Sequence, residues 1–176
     1  AMLHIERLSR AYRVRRLTEE DTAQILALCR SNPLYYRHCG TEPSEADIRQ
    51  DMTLLPPGAA PEDKYFLGYF HGDRLAAVLD LIDGYPSAET AYIGLFMVDG
   101  RFSGQGIGSH LVEELLEELK TAGFSRVRLA YQKANPQSTR FWTKRLSAGG
   151  GEAPSLRHHA GGGSEFVFFR ESLLIY

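Results

Sequence analysis

Within these 176 residues, the run Gly104-Gln105-Gly106-Ile107-Gly108 is the stretch best suited to chemistry. Glycines spaced by other residues leave backbone N–H groups uncovered, and glycine alone adopts positive φ without strain. A strand-like segment, 91–98, precedes the run, and an amphipathic helix through Leu111, Leu115 and Leu119 follows it. A strand that turns through glycines into a helix aims several N–H groups, and the positive end of the helix dipole, at one point. Such a point holds phosphate or pyrophosphate. A nucleoside-triphosphate loop would carry Lys-Ser or Lys-Thr after its last glycine, where this chain has Ser109-His110. A dinucleotide-binding turn reads G-x-G-x-x-G with an acid about 20 residues on. Here the spacing is G-x-G-x-G, and the next apolar segment, 126–131, carries no acid.

Ser103-Gly-Gln-Gly-Ile-Gly108 resembles the acyl-CoA pyrophosphate loop of the GNAT family of N-acetyltransferases, Arg/Gln-x-x-Gly-x-Gly/Ala, at every position but the first. One strand later, Asn135-Pro-Gln-Ser-Thr-Arg-Phe-Trp142 resembles that family's Asn-x-x-(small)-x-x-Phe-Tyr segment. The two matches lie at strand-to-helix junctions, and together the resemblance spans residues 64–146. It implies an α+β, three-layer fold: a mixed, mostly antiparallel sheet of about six or seven strands flanked by helices. It implies acetyl-CoA as co-substrate, with its pyrophosphate at Ser103, Gly104, Gln105, Gly106, Ile107, Gly108 and Ser109. Backbone groups of Phe96, Met97 and Val98 would pair with the pantetheine amides where the sheet splays between Met97 and Tyr131, and an N–H near Val98 would face the thioester carbonyl. Asn135 and Ser138 would contact the CoA arm, and Trp142 would line the cofactor groove or else simply fill the sheet face.

The sequence departs from that family twice. Ser103 stands where Arg or Gln is usual, so one phosphate contact is weaker or comes from elsewhere, with Arg101 and Gln105 as candidates. Trp142 stands where many members have the tyrosine that protonates the departing thiolate. An indole donates a hydrogen bond but is no usable acid. Either Tyr131 or another tyrosine takes that role, or the thiolate, with a pKa of about 8.5, leaves unaided.

For the base, the candidates are Asp80 and Asp83, read as lying at the end of the third strand near the acceptor. They would act through water or attract a cationic substrate; the competing reading is two solvated turn acids. Tyr35, Tyr36 and His38 fall in an expected aromatic loop that would fold over the acceptor as substrate-binding residues, or else simply pack the loop down. Cys39, in the same loop, has no neighbouring base to make it an acyl carrier. His158-His159 point to opposite sides and make no metal site, and no metal is expected.

The elements that must position these groups follow from period and punctuation. Residues 12–17 alternate as a first strand, Thr18 opens a helix ending near Ser31-Asn32-Pro33, and Ser44 opens a second that stops before Leu55-Pro56. From Lys64 the period is two, giving a hairpin with a turn at 71–73, then a strand at 91–98. The helix after the glycine loop runs to about Lys120 with Gly123 at its end. Its Leu/Val stripe reads as core, and Glu113, Glu114, Glu117 and Glu118 as its wet face. A strand at 126–131, a helix opened by Asn135-Pro136 and a last strand at 166–169 follow. Residues 147–163, with six glycines and no apolar rhythm, read as a mobile loop around a weak strand.

Composition sets the bounds. The length suits one domain, 1–176, with a single core. The formal net charge of −2 favours neither nucleic acid nor membrane as partner. Five arginines from Arg7 to Arg16 read as a solvated face. Two cysteines suggest a reduced, cytoplasmic protein. The expectation is an acetyltransferase moving an acetyl group from acetyl-CoA to a small-molecule primary amine. The alternative is a catalytically weak regulatory module that binds acyl-CoA, and an exposed final strand would allow a homodimer.

Overall fold

The computed structural model describes residues 2–39, 42–102, 104–132, 140–142, 152–154 and 166–173; for 38–39, 130–132 and the last two segments it describes the backbone alone. Seven strands form one sheet in the order β1-β2-β3-β4-β5-β7-β6. They are β1 (Arg13–Arg16), β2 (Lys64–His71), β3 (Arg74–Asp83), β4 (Thr90–Val98), β5 (Arg126–Gln132), β6 (Glu152–Pro154) and β7 (Phe166–Leu173). All neighbours are antiparallel except β4 and β5. Among the described residues the helices are α1 (Thr22–Arg30), α2 (Pro33–Cys39), α3 (Glu45–Thr53) and α4 (Ile107–Thr121), and 140–142 are helical as well.

Both faces of the sheet are covered, because β2, β3 and the first part of β4 are apolar on both sides. On one face Leu111, Val112, Leu115 and Leu119 of α4 pack on Leu67, Tyr69, Leu79, Leu81 and Ile93. On the other, Ile25, Leu28 and Cys29 of α1 and Ile48 of α3 pack on Phe66, Phe70, Val78 and Met97. The hairpin β2–β3 turns at Gly72, as its alternation predicts. Ser44 caps α3 by accepting the Asp47 N–H at 3.1 Å.

Three expectations need correction. Residues 33–39 are helical rather than a loop; Pro33 occupies the first helical position, where its missing N–H costs nothing and its φ is already set. The final strand is not an exposed edge, since β7 pairs with β5 on one side and β6 on the other. Finally, α4 is not wet along all four acids. Glu113 and Glu117 are exposed, but Glu114 and Glu118 are buried. The chain before β1 lies along α4, where Met2 N–H donates to Ala122 O and Arg10 N–H to Glu114 Oε2 at 2.9 Å.

β4 carries the irregularity that positions the site. Leu81 opposes Ile93 and Asp80 opposes Leu95, which leaves Gly94 as an extra residue. Such a bulge reverses which side chains face which side. Before it, Ala91 and Ile93 point to the α4 core. After it, Phe96 and Val98 take that side, and Leu95 and Met97 pack against α1 and α3.

Candidate functional site

The parallel pairing of β4 with β5 begins at Thr90–Arg126 and ends at Ile93–Leu129. Beyond it β4 stays with β3 as far as Val98, and β5 stays with β7 as far as Gln132. The two strands therefore part at Gly94, and the opening is bounded by residues 95–98 on one side and 130–132 on the other. Asp99 N–H donates to Ala76 O at 2.8 Å. That bond makes Ala77–Val98 a non-hydrogen-bonded pair, so the N–H and C=O of Val98 point away from β3 and into the opening. By the same alternation those of Phe96 do so too, whereas the backbone of Met97 is engaged with Val78. Of the three residues expected to pair with an extended ligand, Phe96 and Val98 present their backbone. Met97 instead buries its side chain on the α1 face.

The opening leads to the glycine loop. A short 3₁₀ turn, Gly100–Phe102, follows β4. Gly104 (φ 80°) and Gly106 (φ 72°) then adopt the left-handed conformation that other residues resist, and Gly106 is the N-cap of α4. Where a Cβ would sit on either, no atom lies within 4 Å. Among the described residues no side chain caps the start of α4, and its first turn holds no acid. A 15-residue helix thus points its N-terminus, lined by Ile107, Gly108 and Ser109, at the mouth of the opening. Gln105 is exposed there. Arg101, one of two expected substitutes for a phosphate contact, is instead clasped to Asp99 through Nε and a terminal nitrogen. The guanidinium and the Arg101 N–H hold the Asp99 carboxyl below the usual range. Ser103, Asn135 and Ser138 lie outside the described residues.

Trp142 is 5% exposed, edge-on to Phe96 at 6.0 Å and to Phe141 at 4.8 Å. The indole therefore belongs to the α4 core beneath the open half of β4. The backbone of Tyr131 lies in β5 opposite Phe168, on the far bank of the opening.

The two carboxylates expected to act as bases are elsewhere. Because β3 runs antiparallel to β4, its end lies at the start of β4. Asp83 faces Ala91, seven residues and roughly 23 Å of strand from Val98. Burial raises its pKa above the ordinary value, but its position takes it away from the opening. Asp80 is nearer, beside Leu95, yet it is 4% exposed and ion-paired with Lys64 Nζ at 2.8 Å. The same ammonium donates to Leu54 O, just past α3, at 2.8 Å. Asp80 thereby fixes α3 to the sheet, and its charge is already matched.

On the α1 and α3 side of the opening lies a small cavity, about 20 Å³, bordered by Cys29, Tyr36, Asp47, Asp51, Leu95 and Met97. Tyr35 and Tyr36 meet edge-to-face at 4.9 Å on α2. Tyr36 reaches the cavity; burial first, then neighbouring Cys29, Tyr35 and Asp51, push its hydroxyl pKa far up, so it stays a neutral donor. The His38 side chain is outside the description. Among the described residues no group of three His, Cys, Asp or Glu side chains can hold a metal. Among them, too, no helix is long and apolar enough to cross a membrane.

Two residues matter more than the sequence suggested. Ser31 and Asn32 read only as the stop of α1, yet both bond to the end of β4: Asn32 Nδ2 to Val98 O at 3.0 Å and Ser31 Oγ to Gly100 N–H at 2.8 Å. Their types and their place after a helix gave no local sign of a contact 66 to 69 residues away.

The fold as a whole has known counterparts. The chain aligns with an acetyltransferase structure from Thermus thermophilus at a TM-score of 0.70 and 21% identity, covering 93% of this chain and 97% of that one. It aligns with an acetyl transferase of Salmonella typhimurium that modifies the N-terminal serine of ribosomal protein L7/L12, at a TM-score of 0.67 and 19% identity over 94% and 96% of the two chains. An N-acetyltransferase from Thermoplasma acidophilum in complex with coenzyme A gives a TM-score of 0.56 and 18% identity over 93% and 99%. At these identities the likeness is one of fold. No curated protein matches by sequence. The model of the acetyltransferase (GNAT) family matches residues 10–147, well over half of the chain, and the protein belongs to that family.

Proposed function

We propose that the protein is an N-acetyltransferase that moves an acetyl group from acetyl-CoA directly to a primary amine on a small molecule. The parting of β4 and β5 carries the reading: the backbone groups of Phe96 and Val98 face an opening that ends at the glycine-rich start of α4. An extended amide chain fits the edge of residues 95–98 as one more strand would. Its diphosphate then falls at Gly104–Gly108, where backbone donors and the helix dipole meet it. The thioester supplies the acetyl group. A neutral amine adds to the thioester carbon and expels the thiolate as the amide C–N bond forms; the ammonium proton passes to solvent or to the leaving sulfur. The chain's contribution is position and a donor: with the diphosphate beside Val98, the thioester falls toward the bulge, where the N–H of Phe96 would meet the developing oxyanion. Asp80 has no part in this scheme, since it lies buried and ion-paired with Lys64 at 2.8 Å.

For the acceptor, the support is the small cavity beside Tyr36 and Met97, which offers apolar walls with Asp47 and Asp51 at its rim. At about 20 Å³ it has room for little more than a water, so it would take the head group of an amine rather than a whole acceptor, and the two carboxylates favour that group as a cation. Thermal melting with CoA, acetyl-CoA and ADP tests the donor half. At 100 times its dissociation constant a ligand adds about 2.7 kcal/mol. A panel of small amines, with release of free thiol as readout, tests the acceptor half. A shift with both CoA forms plus turnover supports the reading. A shift without turnover on any amine would make the protein a regulatory acyl-CoA binder, and no shift would mean that the glycine loop holds something else.

A further inference from the structure

We infer that Ser31 and Asn32, just past α1, are positioning residues for the donor half of the site. They hold the two peptide units that aim Val98 into the opening, and thereby set the affinity for a pantetheine arm. The inference rests on the acyl-CoA reading above.

Asn32 Nδ2 donates to Val98 O at 3.0 Å and to Leu28 O at 3.1 Å, so the last turn of α1 and the end of β4 share one donor group. The other end of the same peptide unit, the Asp99 N–H, is bound to Ala76 O at 2.8 Å. The next unit is held as well: Gly100 N–H donates to Ser31 Oγ at 2.8 Å, while the Ser31 hydroxyl donates to Leu28 O. Here backbone rests on backbone, since a Cβ on Gly100 would lie 1.9 Å from Ser31 O. Neither segment can shift without the other.

The consequence is chemical. A carbonyl oxygen has two acceptor sites. Val98 O can therefore keep Asn32 and still accept an amide N–H from a ligand in the opening. The adjoining Val98 N–H takes its direction from a strand end that is fixed on both sides, so it meets an amide carbonyl of the arm without reorganisation. A residue needed only to fill space between α1 and β4 would place no demand on its donor. Asn32 meets a carbonyl, and only a donor serves there.

Asn32→Asp keeps the size and shape and replaces the donor with an acceptor; Asn32→Ala removes both; Ser31→Ala frees Gly100 alone. Purified wild type and variants are titrated calorimetrically with CoA and with ADP, which lacks the pantetheine arm, and melted without ligand. The wild type is expected to bind CoA. Both Asn32 variants are expected to lose CoA affinity by about tenfold, the scale of one hydrogen bond. ADP binding is expected to change by less than about twofold, with Ser31→Ala intermediate. In turnover the KM for acetyl-CoA should rise more than kcat falls. CoA affinity within about twofold of wild type in the Asn32 variants, or an equal loss for ADP, would overturn the inference and leave these residues as a dock for α1. If neither Asn32 variant folds, Ser31→Ala decides on the same CoA readout. A wild type that does not bind CoA would sink the acyl-CoA reading itself, and that result stands apart from any variant.

Discussion

The two halves of β4 differ more than most neighbouring strands do. From Thr90 to Ile93 the strand is paired on both sides and no residue is more than 4% exposed. From Leu95 to Val98 it is paired with β3 alone, and only Met97 is fully buried. Nine consecutive residues thus supply both a core strand and a binding edge, and one inserted glycine divides them. The bulge achieves this without ending the strand: it exchanges the faces of the side chains and lets β5 leave while β3 stays. A strand so built ties its open half rigidly to the core through its closed half.

Each half can be broken separately. The largest effect is expected from Ile93→Ala in the closed half. Ile93 is 0% exposed, and truncating such a residue costs about 2–5 kcal/mol. Urea denaturation should show that loss, while the CoA affinity of the folded fraction stays unchanged. Val98→Pro addresses the open half. It removes an N–H that makes no bond to β3, so the ladder should survive, whereas CoA affinity should fall by about tenfold, the scale of one hydrogen bond. A fall in the urea midpoint with no change in CoA affinity would show that the two halves are not separable. Next comes Gly106→Ala, where φ is 72°. Left-handed backbone costs alanine about 1–2 kcal/mol, and because the loop is open the loss should appear chiefly as weaker CoA binding in calorimetry.

The smallest effect concerns acid. Arg101 holds the Asp99 carboxyl below its ordinary value of 3.8, and Arg15 does the same for Asp21. A depressed carboxylate adds stability above that value, and the gain is lost as pH falls through the folded pKa. Between about pH 4 and pH 2 the protein should lose stability; Arg101→Ala should flatten that loss slightly, and Ile93→Ala should leave its slope alone. Urea midpoints at several pH values would measure both.

Much of this is legible in the sequence where local rules govern. Alternation marks the β2–β3 hairpin, and the glycines with the Leu stripe mark the loop and α4. The departures are of tertiary origin. Glu114 continues an acidic face that looks solvated until Arg10, in the chain before β1, bonds to it. Asp83 looks close to the acceptor in chain order, which ignores the reversal that an antiparallel pair imposes. Leu34 to Cys39 lack an amphipathic rhythm, and the signal that overrides it, Pro33 as a helix opener, reads equally as a stop. Gly94 inside an apolar strand is itself a bulge signal, but which partner strand departs depends on β5, about 30 residues away.

The contact of the first residues with α4 also bears on how far this protein can be trimmed. The family match starts at residue 10, yet Leu8 is 0% exposed within the α4 core and Ser9 is 6% exposed. A boundary drawn by family likeness would therefore cut through the packed interior. The shortened chain would keep every motif by which its relatives are recognised and lose Leu8 from the packed interior, so its failure in an assay would say nothing about chemistry.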